Sequence, residues 1–312
     1  KPDVATRIKQ TQNLIAICSA SSSDDPRFVG QRGVEPPPEV PIERVGFANL
    51  TDEGGQFARR QLLLQPPDLE FCNTLEAFSL VLARKYLDAE EKPYTSPLKE
   101  KESGEIDIEQ MQFGNTVISR LATYNGSSYS TKDADDIQLI GYQTLINFRT
   151  PKGNAREFAE VVSLKKVLEN QVSAELIRDR IVLIGSTALT STETDLWNTP
   201  YGEMPGVILH GQMTSQLISR VLDSRPLIWW WTIGGESLWI FGWSLLGGVI
   251  VWRISQISHL TGATIASFIL LYITCYSVLV YQSGWIPLVP PGIALVMTGI
   301  GVGYHTYRLR RP

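Results

Sequence analysis

The residues best suited to chemistry fall late in the polar part of this 312-residue chain. Ile184-Gly185-Ser186-Thr187 closes an apolar run, and a strand ending in a glycine turn can present backbone N–H groups to an anion. The glycine spacing of a dinucleotide fingerprint and the lysine of a phosphate-binding loop are both missing. A tight strand-to-loop turn at Gly185 is the simpler explanation. Ser186, Asp195 and His210 are the residue types of a hydrolytic triad, yet no G-x-S-x-G elbow surrounds the serine. Asp195 bonding loop backbone and His210 near the start of a helix account for the same residues. Gly185, Ser186, Asp195 and His210 also stand where α/β proteins bind ligands, at strand ends and in the loops that follow. They are the expected ligand-binding residues, with no catalytic residue, metal or cofactor expected beside them. Arg59-Arg60 could meet an anionic ligand, but adjacent strand residues point to opposite faces, so at most one serves a given pocket. Glu236, the one acidic residue inside an apolar stretch, is a functional candidate by default, with snorkelling toward the membrane surface open to it.

These residues sit in a chain of two unlike parts. From Leu227 onward the charged groups are Glu236, Arg253, Arg308, Arg310 and Arg311, a net of +3. The whole chain carries −4, so residues 1–226 carry −7. That acidic balance argues against nucleic-acid binding, which requires basic patches to neutralise phosphates. Three apolar stretches follow, Leu227–Trp252, Leu260–Gln282 and Trp285–Tyr307, each at or above the roughly 20 residues that cross a bilayer. Seven of the eight tryptophans lie at or after Trp229, and Trp229–Trp231, Trp252 and Trp285 mark stretch ends, as an interfacial belt would. Gly262 and Ala266, then Gly299 and Gly303, have the small-xxx-small spacing that lets helices approach closely. Arg253, His259 and the tail Arg308-Leu309-Arg310-Arg311 are basic, whereas the turn before Trp285 is uncharged. The positive-inside rule therefore expects a cytoplasmic C-terminus and residues 1–226 outside. Export of that domain calls for a signal-anchor helix before Lys1. Cys18 and Cys72 would then face an oxidising compartment; buried free thiols are expected in preference to a bridge.

Within residues 1–226 strands and helices alternate. Asn13–Ser19, Arg44–Leu50, Arg59–Leu64 and Ile137–Arg149 read as strands, with a turn at Thr51–Gly55. Leu69–Leu87 and Val161–Leu168 show helical spacing or a helix start, and Pro205–Leu222 closes the domain as a helix. Arg180–Gly185 is a continuous β-branched run, expected of a strand covered on both faces. The fold class is thus an α/β extracytoplasmic domain, a mixed sheet with flanking helices, plus a three-helix transmembrane bundle.

Several segments together resemble the CHASE2 extracellular sensory domain, particularly its cyanobacterial members. They are Arg44-Val-Gly-Phe-Ala-Asn-Leu50, Arg59-Arg60, Leu145-Ile-Asn-Phe-Arg149 and Arg180-Ile-Val-Leu-Ile-Gly-Ser-Thr-Ala188, then Asp195, Thr199-Pro200 and Met204-Pro-Gly-Val-Ile-Leu-His210. Three spans directly after the domain match that family's layout; its leading strands find no counterpart here. The resemblance implies a receptor that perceives a small-molecule or environmental signal outside and drives a cytoplasmic kinase, cyclase or CHAT-type output domain. Membrane lipid and a second copy of the chain are further expected partners. Asp223, Arg225 and Pro226 would carry the signal, because proline breaks the helix before the first span and leaves a stiff hinge. A membrane-anchored hydrolase using Ser186, Asp195 and His210 is the rival reading, and a structural anchor for a partner is a second.

Overall fold

The computed structural model describes residues 3–21, 33–51, 57–100, 106–121, 141–187 and 195–309. The expected turn at Thr51–Gly55 and the start of the Ile137–Arg149 strand fall largely outside these residues, as do Arg310 and Arg311. The described residues divide into two compact units, one ending at Leu227 and one starting at Ile228.

The first unit runs α1 (Val4–Gln10), β1 (Ala16–Cys18), β2 (Val45–Phe47), β3 (Arg60–Leu64) and α2 (Phe78–Ala89). Short strands follow: β4 (Tyr94–Thr95), β5 (Leu98–Glu100), β6 (Ile106–Ile108), β7 (Met111–Phe113), β8 (Thr116–Ile118) and β9 (Tyr142–Leu145). Helices α3 (Leu164–Leu168) and α4 (Ala174–Ile177) precede the hairpin β10 (Leu196–Thr199) and β11 (Gly202–Pro205), and α5 (Gly206–Leu222) closes the unit.

The architecture is mixed α/β, built from small sheets where the sequence suggests one mixed sheet. β1 pairs parallel with β2, and β3 antiparallel with β9. Glu76–Ala77 stitches the two pairs together: Phe47 N–H donates to the Glu76 carbonyl at 3.0 Å and Ala77 N–H to the Leu63 carbonyl at 2.9 Å. The β4–β7–β8 sheet, unforeseen from sequence, is fixed to β9 by Tyr142. Its buried hydroxyl accepts from Met111 N–H at 3.1 Å and donates to the Ile118 carbonyl. All five residues of β3 are buried, and Leu62, Leu63 and Leu64 join Phe47, Leu80, Leu87, Phe113 and Leu217 in the main core. A second cluster gathers Leu50, Ile146, Phe148, Trp197, Met204, Leu209 and Met213 under the first turns of α5.

Three expectations change here. Cys18 and Cys72 are joined by a disulfide with Cα atoms 5.3 Å apart, within the span a bridge requires, so they are not free thiols. The partner positions arise because Asp68–Cys72 forms a turn, held by reciprocal backbone bonds of 3.1 and 2.9 Å, that returns the chain to β1. That turn also delays α2, which starts at Phe78 although helical spacing begins at Leu69. Finally, Arg180–Gly185 is no covered strand: it makes no strand pairing among the described residues, and Ile184 is 93% and Val182 53% exposed.

The second unit contains β12 (Trp229–Trp230), α6 (Ile233–Arg253), α7 (Ile257–Gln282), β13 (Gly284–Trp285) and α8 (Val289–Leu309). Among them α6 and α7 are long and apolar enough to cross a membrane. α8 matches α6 in length but is less apolar on average, with Pro290, Pro291, three glycines beyond Gly292 and His305 along it. The first span starts later than hydropathy suggests, since Thr232 caps α6, while Trp229–Trp230 pairs with Gly284–Trp285. α6 and α8 run parallel in close contact. A Cβ on Gly247 would lie 2.2 Å from the Leu295 carbonyl, so only glycine permits that approach. Gly299 and Gly303 pack on Val251 of α6, but a Cβ on Gly262 of α7 would meet no other described element within 4 Å. Parallel packing gathers Trp229, Trp230 and Trp285 at one end of the unit and leaves Arg253 and Arg308 at the other. Glu236 lies in the first turn of α6 and is buried, so it does not snorkel; a carboxylate there complements the helix dipole.

Candidate functional site

Three of the four expected ligand residues surround the first turns of α5. The Gly206 N–H donates to the Asp195 carbonyl at 2.9 Å, and Asp195 Oδ1 accepts from Trp197 Nε1 at 2.8 Å. The same carboxylate lies so close to Gly206 that a Cβ there would approach Asp195 Oδ2 to 2.1 Å. A carboxylate at a helix N-terminus is favoured by the helix dipole, so this is a stable resting place for Asp195. Gly185 meets the same turn from another side: a Cβ on it would sit 2.6 Å from Val207 Cβ. Gly185 is thus required by close packing; its φ lies outside the left-handed region that a tight glycine turn would use. Ser186 follows on an exposed segment outside any helix or strand.

His210 lies one turn further along α5, buried, with its ring edge-on to Phe78 at 5.7 Å. Burial pushes its pKa below 6.5, against the Asp195 charge and a hydrogen bond to the Ala48 backbone. Its Nδ1 is buried with no partner among the described residues. A neutral, enclosed imidazole braces α5 against α2; a general base would need access to substrate.

The expected relay residues lie at the other end of α5, in a polar assembly the sequence did not disclose. Gln212 and Gln216, one turn apart, do for the backbone of 145–149 what a neighbouring strand would. Gln212 accepts from Arg149 N–H at 2.8 Å and donates to the carbonyls of Arg149 at 2.8 Å and Ala155 at 2.7 Å. Gln216 accepts from Asn147 N–H and donates to the Leu145 carbonyl at 3.2 Å and to Gln61 at 3.0 Å. Gln61 in turn donates to Ser79 at 3.0 Å and to the Met213 carbonyl at 3.3 Å, so every amide in this buried chain is used.

Beyond Leu222 the helix stops. Ser224 takes a left-handed backbone (φ 54°), and the Arg225 N–H reaches back to the Ser219 carbonyl at 3.0 Å. Arg225 Nη2 then donates to Asn147 Oδ1 at 3.2 Å and to the Phe148 carbonyl at 2.9 Å. Asn147 Nδ2 donates to the Pro226 carbonyl at 2.9 Å, and Arg149 faces Asp223 at 3.6 Å. Asp223, Arg225 and Pro226 are therefore fastened to the segment after β9. Sequence reading missed Gln61, Asn147, Arg149, Gln212 and Gln216. The available signal was a pair of amides at i, i+4 inside an otherwise apolar helix face.

The family model for the CHASE2 domain matches residues 1–249, four fifths of the chain. The chain belongs to the CHASE2 family. No curated protein and no solved structure gives a significant match. CHASE2 domains are extracellular sensory domains, so this chain carries a sensory domain, followed by helices able to cross a membrane. The segments that carry the sequence resemblance build the assemblies above: Arg44–Leu50 contains β2, Leu145–Arg149 takes the glutamine bonds, and Met204–His210 opens α5.

Proposed function

We propose that this chain is a transmembrane sensory module: its CHASE2 domain perceives a signal outside the cytoplasm and passes it through Asp223–Pro226 into the membrane helices. The observation that carries the reading is the clasp of Arg225 and Asn147 across the exit segment. A movement of α5 or of residues 146–149 displaces a fastened segment, whereas a free tether would absorb it. The Cys18–Cys72 bridge supports an extracytoplasmic domain, because disulfides persist in oxidising compartments. The gathering of tryptophans at one end of the helical unit and arginines at the other supports a cytoplasmic C-terminus, with α8 as a third span. The output is a cytoplasmic kinase, cyclase or CHAT-type domain, and lipid covers the apolar groove of about 700 Å³ lined by Phe268, Tyr272, Leu288, Ile293 and Met297.

Two measurements test this. A phosphatase active only outside the cytoplasm, fused after Pro312, should be inactive, and a cytoplasmic fluorescent protein fused there should fold and fluoresce. Strong phosphatase activity overturns the orientation. Inserting four Gly/Ser residues between Leu227 and Ile228, in a chain joined to an output domain, should spare folding yet abolish regulation. Regulation that survives the insertion refutes the relay.

A further inference from the structure

Two arginines at the exit of the sensory domain keep donors that no described residue accepts. Arg225 uses Nη2 on Asn147 and Phe148, but its Nη1 is buried with no partner among the described residues. Arg149 spends one Nη2 contact on Asp223 at 3.6 Å, a distance beyond a good hydrogen bond, and its Nε is likewise buried and unpartnered. The two guanidiniums sit close enough for Arg149 to depress the Arg225 pKa further, after burial. Asp223, the carboxylate paired with Arg149 among the described residues, is two-thirds exposed, and Arg149, Asp223 and Arg225 together carry a net positive charge. Phe148 and Tyr201 stand edge to face at 5.5 Å beside them, with Tyr201 half exposed.

Like charges held together in a partly desolvated place are costly unless an anion joins them. The clasp itself brings the pair together: Arg225, from the segment after α5, donates to Asn147 and Phe148, the two residues before Arg149 in the segment after β9. We propose that Arg149 and Arg225 form a binding site for a phosphate group. Guanidinium forks match phosphate oxygens, and a tetrahedral anion offers separate oxygens to two forks arriving from different directions. The phosphate belongs to a free anion or to a lipid headgroup; Arg225 precedes the first residue of α6 by only eight residues in the chain. Because one arginine sits on each side of the clasp, occupation ties residues 147–149 to the exit segment more firmly.

The test uses the full chain, in uncharged detergent and in nanodiscs. In detergent, calorimetric titration with inorganic phosphate, against acetate at matched ionic strength, reads the free-anion source. Nanodiscs of phosphatidylglycerol, compared with nanodiscs of a phosphate-free galactolipid, read the headgroup source through the thermal midpoint. Arg149→Gln should weaken phosphate binding about tenfold or more, the loss of a charge-assisted contact. It should equally erase the midpoint gain in phosphatidylglycerol. Asp223→Asn, which removes the competing carboxylate, should tighten binding several-fold, an outcome that misfolding cannot mimic. Arg178→Gln, an exposed arginine elsewhere, should change nothing. The proposal fails if neither phosphate nor phosphatidylglycerol acts on the native chain, if acetate acts equally, or if the effect survives Arg149→Gln. Binding is read on the chain itself, so the site stands or falls apart from the relay.

Discussion

Removing the bridge by the double change Cys18→Ala, Cys72→Ala should cost the sensory domain about 4 kcal/mol. The cysteines are 54 residues apart, and loop-closure entropy for a ring of that size gives about 14 cal/mol/K, or about 4 kcal/mol at 25 °C. Both cysteines are fully or almost fully buried, so lost sulfur packing adds to that figure, whereas a denatured state that keeps some structure subtracts from it. For a domain of this size 1 kcal/mol moves the midpoint about 2–4 °C, so a fall of about 8–16 °C is expected. Circular dichroism of the full chain in mild detergent, with and without a phosphine reductant, measures it. Reduction should lower the native midpoint and leave the double variant unmoved. Maleimide labelling after denaturation without reductant should find one thiol, Cys275. Three labelled thiols, or a midpoint within about 2 °C on reduction, would refute the reasoning.

Gly185→Val should destabilise the domain by about 1–3 kcal/mol, because its Cβ is directed onto Val207, while Ser186→Ala should be nearly silent in thermal melts. Esterase turnover that vanishes with Ser186→Ala in a folded chain would restore the hydrolase reading. His210 gives a pH dependence of known sign: burial lowers its folded pKa, so the unfolded chain takes up the proton first. The stability it confers is complete above about pH 6.5 and is lost as pH falls below that, by at most about 1.4 kcal/mol per unit. Glu76, raised by burial, has the opposite slope above pH 4.5, so the comparison is native chain against His210→Gln, in which Glu76 cancels. Equal pH profiles in urea titrations would show that His210 is not held neutral.

Local signals were legible where one short pattern decides the outcome. The segments Ala16–Cys18, Val45–Phe47 and Arg60–Leu64 became strands, Ser163 capped α3, and Pro205 opened α5, because short apolar runs, capping and proline act within a few residues. Arg180–Gly185 is richer in β-branched residues than any of these and did not become a strand. A strand exists only when another backbone hydrogen-bonds to it, and composition cannot state which backbone arrives. β4 to β8 were missed for the reverse reason: two- and three-residue strands exist through their pairing and have too little periodicity to read.

The sequence by itself determined the division into a charged domain and apolar helices, the basic end of those helices, and family membership. Each is a property of composition or of residues in order. Tertiary structure alone decided that Cys18 meets Cys72, that Gly185 is needed for packing on Val207, and that Gln212 and Gln216 serve the backbone of 145–149. It alone set Arg149 beside Arg225, 76 positions apart in the chain. The physical reason is common to all four. Each depends on the direction from which a distant segment approaches, and that direction is fixed by the collapse of the whole core around β3 and α5.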